Sequence, residues 1–138
     1  MVEDYIKELF NGCCAGRAIG IEITEVREGY AKGSLTIKNE HLNVFGSAHG
    51  GIIFTLADHV GGACGNTVGN KSLLIESSIQ YLRPVFEGNH IYAEASLIYR
   101  GKKIGRIDIK VYNEKYEEIA LMHMVFYITD EKHTGKTT

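Results

Sequence analysis

The segment Ala48-His49-Gly50-Gly51, running through Ile52 to Ala57 and on to Asp58, holds the residue types best suited to chemistry. Two glycines at a helix start leave backbone N–H groups with no side chains above them. Those donors, with the positive end of the helix dipole, suit an anion or a carbonyl oxygen gaining negative charge. Glycines there can equally do no more than relieve backbone strain. Asp58 falls in the least polar stretch of the chain, where an unpaired carboxylate is costly. Gly61, Gly62 and Gly65 lie on or beside its face and leave space for a ligand or another backbone. Such an acid either pairs with a cation, reaches solvent at a helix edge, or serves as general base or nucleophile with its pKa lifted by desolvation.

Gly51 and Asp58 are two turns apart, about 10 Å along a helix axis. That is too far for both to act on one carbonyl. If both serve one site, the acid comes from another subunit's helix, and two antiparallel helices across a two-fold axis create two equivalent sites. His49, just before the glycines, can bind substrate or fix the loop. Arg83 and the cluster Arg100, Lys102 and Lys103 can grip phosphates, or simply solvate a hairpin turn. His41, His49 and Asp58 lack metal-ligand spacing, so no metal is expected. The glycines of Gly65 to Ser72 have the wrong spacing for a phosphate loop, and Cys64 falls on an apolar stripe.

The elements that position these residues follow from periodicity. Ile6, Leu9 and Phe10 give a short docking helix over about 3–11, stopped by Asn11-Gly12. From Ala18 the period changes: Ile19, Ile21 and Ile23 alternate, and a Glu28-Gly29 turn leads to Ala31, Gly33, Leu35 and Ile37, which predicts a hairpin. Over about 48–66, Ile53, Leu56, Ala57, Val60 and Cys64 recur at helical spacing with almost no charge on the other faces, predicting a covered central helix. Four strands follow. The last, Glu118 to Thr129, is apolar on both faces and belongs inside the sheet or at a partner interface. Glu131 to Thr138 reads as a polar tail. Short turns imply antiparallel pairing, and the economical packing is α+β: one antiparallel sheet wrapped around one long helix.

The 138 residues form a single domain, 1–138, long enough to bury roughly two-thirds of the unfolded surface. With 15 basic and 17 acidic residues the net charge is −2, which argues against nucleic acid as the main partner. Three cysteines, two adjacent, form no disulfide framework, and neither a signal segment nor a bilayer-spanning run is visible, so a cytoplasmic protein with no membrane partner is expected.

Asn43-x-x-Gly46-x-x-His49-Gly50-Gly51, followed by Leu56-Ala57-Asp58, resembles the hotdog-fold acyl-CoA thioesterases of the phenylacetate-pathway (PaaI-like) type. Tyr81-Leu82-Arg83-Pro84 and Arg100-Gly101-Lys102-Lys103 are similar to that family's downstream signatures, so the resemblance runs from Ile19 to Ile128. It implies a hotdog sheet around a central helix, in homodimers that often pair as dimers of dimers. It also implies hydrolysis of an acyl-CoA to acid and coenzyme A, with no cofactor because coenzyme A is part of the substrate. Gly51 would correspond to the backbone donor on the thioester carbonyl, Asn43 to the amide holding carbonyl or water, and His49 to a residue shaping the pocket. Asp58 would be the partner-subunit acid, as general base or nucleophile, while Arg83, Arg100, Lys102 and Lys103 would meet coenzyme A phosphates. One departure stands out: the family often has a serine or threonine ten residues before the proline of Tyr-x-x-Pro, and here that position is Leu74. A protein that binds acyl-CoA without cleaving it, and a 3-hydroxyacyl thioester dehydratase, are the other readings of the same pattern.

Overall fold

The structure, a computed structural model, describes residues 2–133. Helix α1 spans Val2–Asn11 and buries Ile6 completely. It ends where the Gly12 N–H turns back to the Glu8 carbonyl, and the Asn11 amide clasps both backbone groups of Ile23. A second short helix, α2 (Cys14–Ile19), follows where the alternation of Ile19, Ile21 and Ile23 predicts strand. Gly20 stops it in a left-handed conformation (φ 101°) that only glycine adopts freely. The strand pattern therefore holds only beyond that cap, and β1 begins at Glu22.

The sheet comprises β1 (Glu22–Arg27), β2 (Tyr30–Thr36), β3 (Asn70–Tyr81), β4 (His90–Arg100), β5 (Ile104–Tyr112) and β6 (Glu118–Lys132). All neighbours pair antiparallel, in the order β1-β2-β4-β5-β6-β3. One face of the sheet packs on α3 (Gly50–Asn66) through Ala31, Ala93, Ile107, Ile109 and Met124, all buried. The approach is close. A Cβ added at Gly33 would stand 2.8 Å from Val60 Cγ2 and 2.9 Å from the Glu22 carbonyl, so the seat of the helix requires glycine there, whereas one at Gly61 would meet the Met124 methyl at 2.7 Å and push that flexible side chain aside. The predicted stripe Ile53, Leu56, Ala57, Val60 and Cys64 is fully buried, as the low charge of the helix demands.

Three boundaries differ from expectation. The central helix starts at Gly50 rather than Ala48, because His49 is extended and acts as its N-cap. Strand β3 begins at Asn70, within the Gly69-Asn70-Lys71 segment after which the sequence reads as strand. Glu131 and Lys132 are not tail but the end of β6, paired through Asn70↔Lys132, and His133 bonds the Asn66 side chain. The rest of the predicted tail, 134–138, lies outside the described residues.

Strand β6 sits inside the sheet, as its two apolar faces require, which leaves β3 as an edge. That edge is 12 residues long and carries Leu73 (59% exposed) and Ile75 (57%). A long apolar edge with unpaired N–H and C=O groups is a ready template for another strand. No described helix is long and apolar enough to cross a membrane.

Candidate active site

The approach to α3 is built by loop 43–47. The Asn43 side-chain oxygen accepts N–H bonds from Phe45 (2.9 Å) and Ser47 (3.1 Å), and its amide donates to the Ser47 hydroxyl (3.0 Å). The Ala48 N–H donates to Val85 and the His49 N–H to the carbonyl of buried His41, so both ends of the turn are pinned. His41 is itself locked: Nδ1 accepts from the Lys38 N–H, which leaves Nε2 to donate to the Ile19 carbonyl.

The His49 ring then turns back over the helix start, and Nδ1 accepts the Gly51 N–H at 2.8 Å. An N-cap side chain reaching the second helical residue is ordinary capping geometry. Its consequence here is specific: the Gly51 donor is occupied, whereas the Gly50 N–H donates to nothing among the described residues. Gly50 is held from its other side by the Tyr81 hydroxyl, which donates to the Gly50 carbonyl at 2.8 Å. Gly50, Ile53, Tyr81 and Arg83 line an open groove of about 320 Å³.

Asp58 faces a different hollow. It shares a cavity of about 110 Å³ with Phe10, Gly61, Gly62, Ser72 and Leu74. The side chain is half-buried and has no hydrogen-bond or ion-pair partner among the described residues. Burial pushes its pKa above the usual carboxylate value, and the charge of adjacent His59 opposes this only in part. Burial lowers the His59 pKa in turn, and its Nε2 is bonded to the Phe10 carbonyl (2.9 Å), so it docks α1 rather than pairing with the acid.

The structure thus divides the expected site residues. Gly51, His49 and Arg83 gather at one end of α3, around Gly50; Asp58 opens into a separate cavity two turns along. Asn43 is engaged in its own loop. Arg83 donates from Nη1 to the Glu118 carbonyl, at the end of the sheet near Gly50. The Arg100, Lys102 and Lys103 turn lies at the opposite end, where Lys103 accepts from the Ile128 N–H. From Glu118 to Tyr127 along β6 is nine residues, about 30 Å of strand, so Arg83 and the Arg100, Lys102 and Lys103 turn, all expected to meet phosphates, do not come together within a chain. Gly50 and Tyr81 are the site residues that sequence reasoning passed over. The signal existed: a histidine immediately before a helix start has an acceptor in reach of the second residue's N–H, leaving the first glycine as the open donor. Leu74 does line the acid's cavity, so a hydroxyl is missing beside Asp58, and Ser72 lies in the same cavity with its hydroxyl bonded to the Asn70 carbonyl (3.2 Å).

Comparison with known proteins adds a family to this geometry. A family model described as the thioesterase superfamily matches residues 45–120. The acyl-coenzyme A thioesterase PaaI of Escherichia coli is 35% identical over 111 residues, covering 80% of this chain and 79% of that one. A protein of Archaeoglobus fulgidus, named only provisionally as an esterase, is 39% identical over 109 residues, 79% of this chain and 71% of that one. The structure of the E. coli PaaI protein from the phenylacetic acid degradation operon superposes with a TM-score of 0.89 at 26% identity, over 96% of this chain and 99% of that chain.

Proposed function

Since the chain belongs to the thioesterase superfamily, as a PaaI-like thioester hydrolase of hotdog fold, we propose that it hydrolyses acyl-CoA to free acid and coenzyme A in a site shared by two subunits. The observation that carries this reading is the split within one chain: an open donor at Gly50 in one hollow and an unpartnered carboxylate at Asp58 in another. Pairing the exposed β3 edges about a two-fold axis would run two α3 helices antiparallel. Each Gly50 end would then face the Asp58 of the partner subunit.

In that arrangement the thioester oxygen accepts the Gly50 N–H, a rigid donor at the positive end of a helix. Asp58 of the partner subunit takes a proton from water as the water oxygen attacks the carbonyl carbon. Collapse of the tetrahedral species breaks the C–S bond, and the coenzyme A thiolate leaves to be protonated. Direct attack by the carboxylate uses the same two groups. His49 holds the loop and caps Gly51, and Asn43 sets the turn that aims His49. Arg83 borders the Gly50 groove and suits a phosphate of coenzyme A. The same two-fold would carry the partner's Arg100, Lys102 and Lys103 turn to that end of the sheet, where they can join Arg83.

Thiol release measured over short, medium, long and aromatic acyl-CoAs tests the reading; turnover on at least one class is expected, and silence across all of them contradicts it. Leu74 favours one second reading, acyl-CoA binding without cleavage, which calorimetry would show as tight binding with no free thiol. Leu74 also supports a prediction. A hydroxyl there would stand beside Asp58 and orient the water, and one added hydrogen bond is worth about 1 kcal/mol. Leu74→Thr is therefore expected to raise kcat about fivefold with KM little changed, whereas an unchanged or lower kcat would show that water is not positioned from β3.

A further inference from the structure

Two loops of this chain are the same turn. In 43–47 the first residue is Asn43: its Oδ1 accepts from Phe45 and Ser47 N–H, its carbonyl accepts from Gly46 N–H, and its N–H donates to Ser47 O. In 113–117 Asn113 repeats every bond: Oδ1 accepts from Lys115 and Glu117 N–H, its carbonyl from Tyr116 N–H, and its N–H donates to Glu117 O. The fourth position is left-handed in both. The first loop fills it with Gly46 (φ 86°), the residue the geometry favours, but the second fills it with Tyr116 (φ 64°), the one non-glycine at positive φ among the described residues.

A bulky aromatic residue in a strained position points to use of its ring. Tyr116 is 81% exposed and ends a stack: Tyr92 lies 5.5 Å from Tyr112, and Tyr112 5.6 Å from Tyr116, both pairs tilted only 21°. Beside it is a cavity of about 210 Å³ lined by Glu94, Lys110, Tyr112, Tyr116 and Glu118. This is below the roughly 300 Å³ where drug-sized pockets begin, so it suits one flat ring system. The Glu94 and Glu118 carboxylates offer acceptors to an exocyclic amine, and Glu94 already fixes the Tyr112 hydroxyl (2.6 Å).

The platform stands at the same end of the sheet as the thioester groove, on the face away from α3. Arg83 borders Gly50, donates to the Glu118 carbonyl, and acts on the Glu117 carboxylate, which the Asn113 amide and then the Arg83 charge hold below the usual range. From β3, where Tyr81 meets Gly50, to Tyr112 on β5 is two strand spacings, about 10 Å. The pantetheine and diphosphate arm of coenzyme A is longer than that.

We propose that Tyr116 is the stacking platform for the adenine of coenzyme A, with Glu94 or Glu118 receiving its amine and Arg83 its diphosphate. The proposal rests on the acyl-CoA reading above. Calorimetric titration with 3′-phosphoadenosine 5′-diphosphate, the nucleotide half of coenzyme A, tests it without turnover. Stacking a base on an aromatic ring is worth enough to change affinity by a factor of about ten. Tyr116→Asn, which tolerates the left-handed backbone, is expected to weaken nucleotide binding about tenfold without loss of thermal stability, and Tyr116→Phe to keep it. The same Asn variant should raise KM for acyl-CoA with kcat held, and leave the acyl thioester of N-acetylcysteamine, which has no nucleotide, unaffected. Equal nucleotide affinity in the wild type and Tyr116→Asn, or none in the wild type, overturns the platform. Absence of thiol release from every acyl-CoA defeats the hydrolysis reading instead, and the nucleotide titration still decides the platform.

Discussion

Asp58→Asn is expected to lower kcat by a factor of about 100 to 10,000, the usual range for losing a general base, while the protein folds and assembles normally. The exchange keeps shape and removes the charge, so the cavity with Gly61, Gly62 and Leu74 should stay intact. Stability should move the other way. Burial raises the Asp58 pKa in the folded chain, so the folded state holds this proton more tightly than the unfolded one. The stability contributed by the group is then full below the ordinary carboxylate pKa and is lost as pH rises through the raised folded value. At neutral pH the wild type therefore carries a destabilising charge that Asn lacks. Removal should raise stability by about 1 kcal/mol, kept small because the side chain is only half-buried. A thermal melt at pH 7 and at pH 4 checks the sign: Asn should melt higher than wild type at pH 7, and the gap should narrow at pH 4. Wild-type turnover in this variant would remove Asp58 from the chemistry.

Gly50→Pro is expected to lower kcat by a factor of about 100 to 1,000 relative to Gly50→Ala, the range for deleting one oxyanion donor. The pair isolates a single hydrogen. Proline at the first helical position removes an N–H that the helix does not use and keeps helical φ. His49, at φ −62° and ψ 135°, already has the extended backbone that a following proline requires. Either substitution places a Cβ 3.2 Å from the Tyr81 ring end, so that crowding is common to both. Gly51→Pro is the counterpart: it forfeits the His49 cap, about 1 kcal/mol of stability, and should keep most of its turnover. Loss of turnover in Gly51→Pro with activity retained in Gly50→Pro would return the donor role to Gly51, with the His49 ring turned away.

Much of this was legible before any coordinates. The long helix showed itself because Ile53, Leu56, Ala57, Val60 and Cys64 keep strict spacing in a segment with almost no charge, and a covered helix tolerates no other pattern. Strand β6 declared its interior place by carrying Met122, Met124 and Phe126 on one face and Leu121 and Val125 on the other. The separation of Asp58 from the glycines followed from helix rise alone, once the acid was counted two turns along the helix. What was not legible depended on direction rather than type. Ile19 fits helix and strand equally well, and the left-handed Gly20 decides between them. The choice between Gly50 and Gly51 depends on where the His49 ring points: its place before the helix puts the Gly51 N–H in reach, and the structure shows the ring turned onto it. The separation of Arg83 from Arg100, Lys102 and Lys103 follows from β4, β5 and β6 running antiparallel over their full lengths. Tyr116 carries no signal in the sequence, because its strain appears only when the backbone angle is known.

The most direct measurement mixes two inactive proteins. Gly50→Pro and Asp58→Asn are unfolded together, refolded in equal amounts, and assayed for thiol release. Random pairing makes half of the dimers mixed. In each mixed dimer one site joins an intact Gly50 N–H to an intact Asp58 and the other holds both defects, so about a quarter of wild-type activity should return. If the donor and the acid of a working site came from the same chain, every chain in the mixture would carry one defect, and activity would stay at the level of the separate variants.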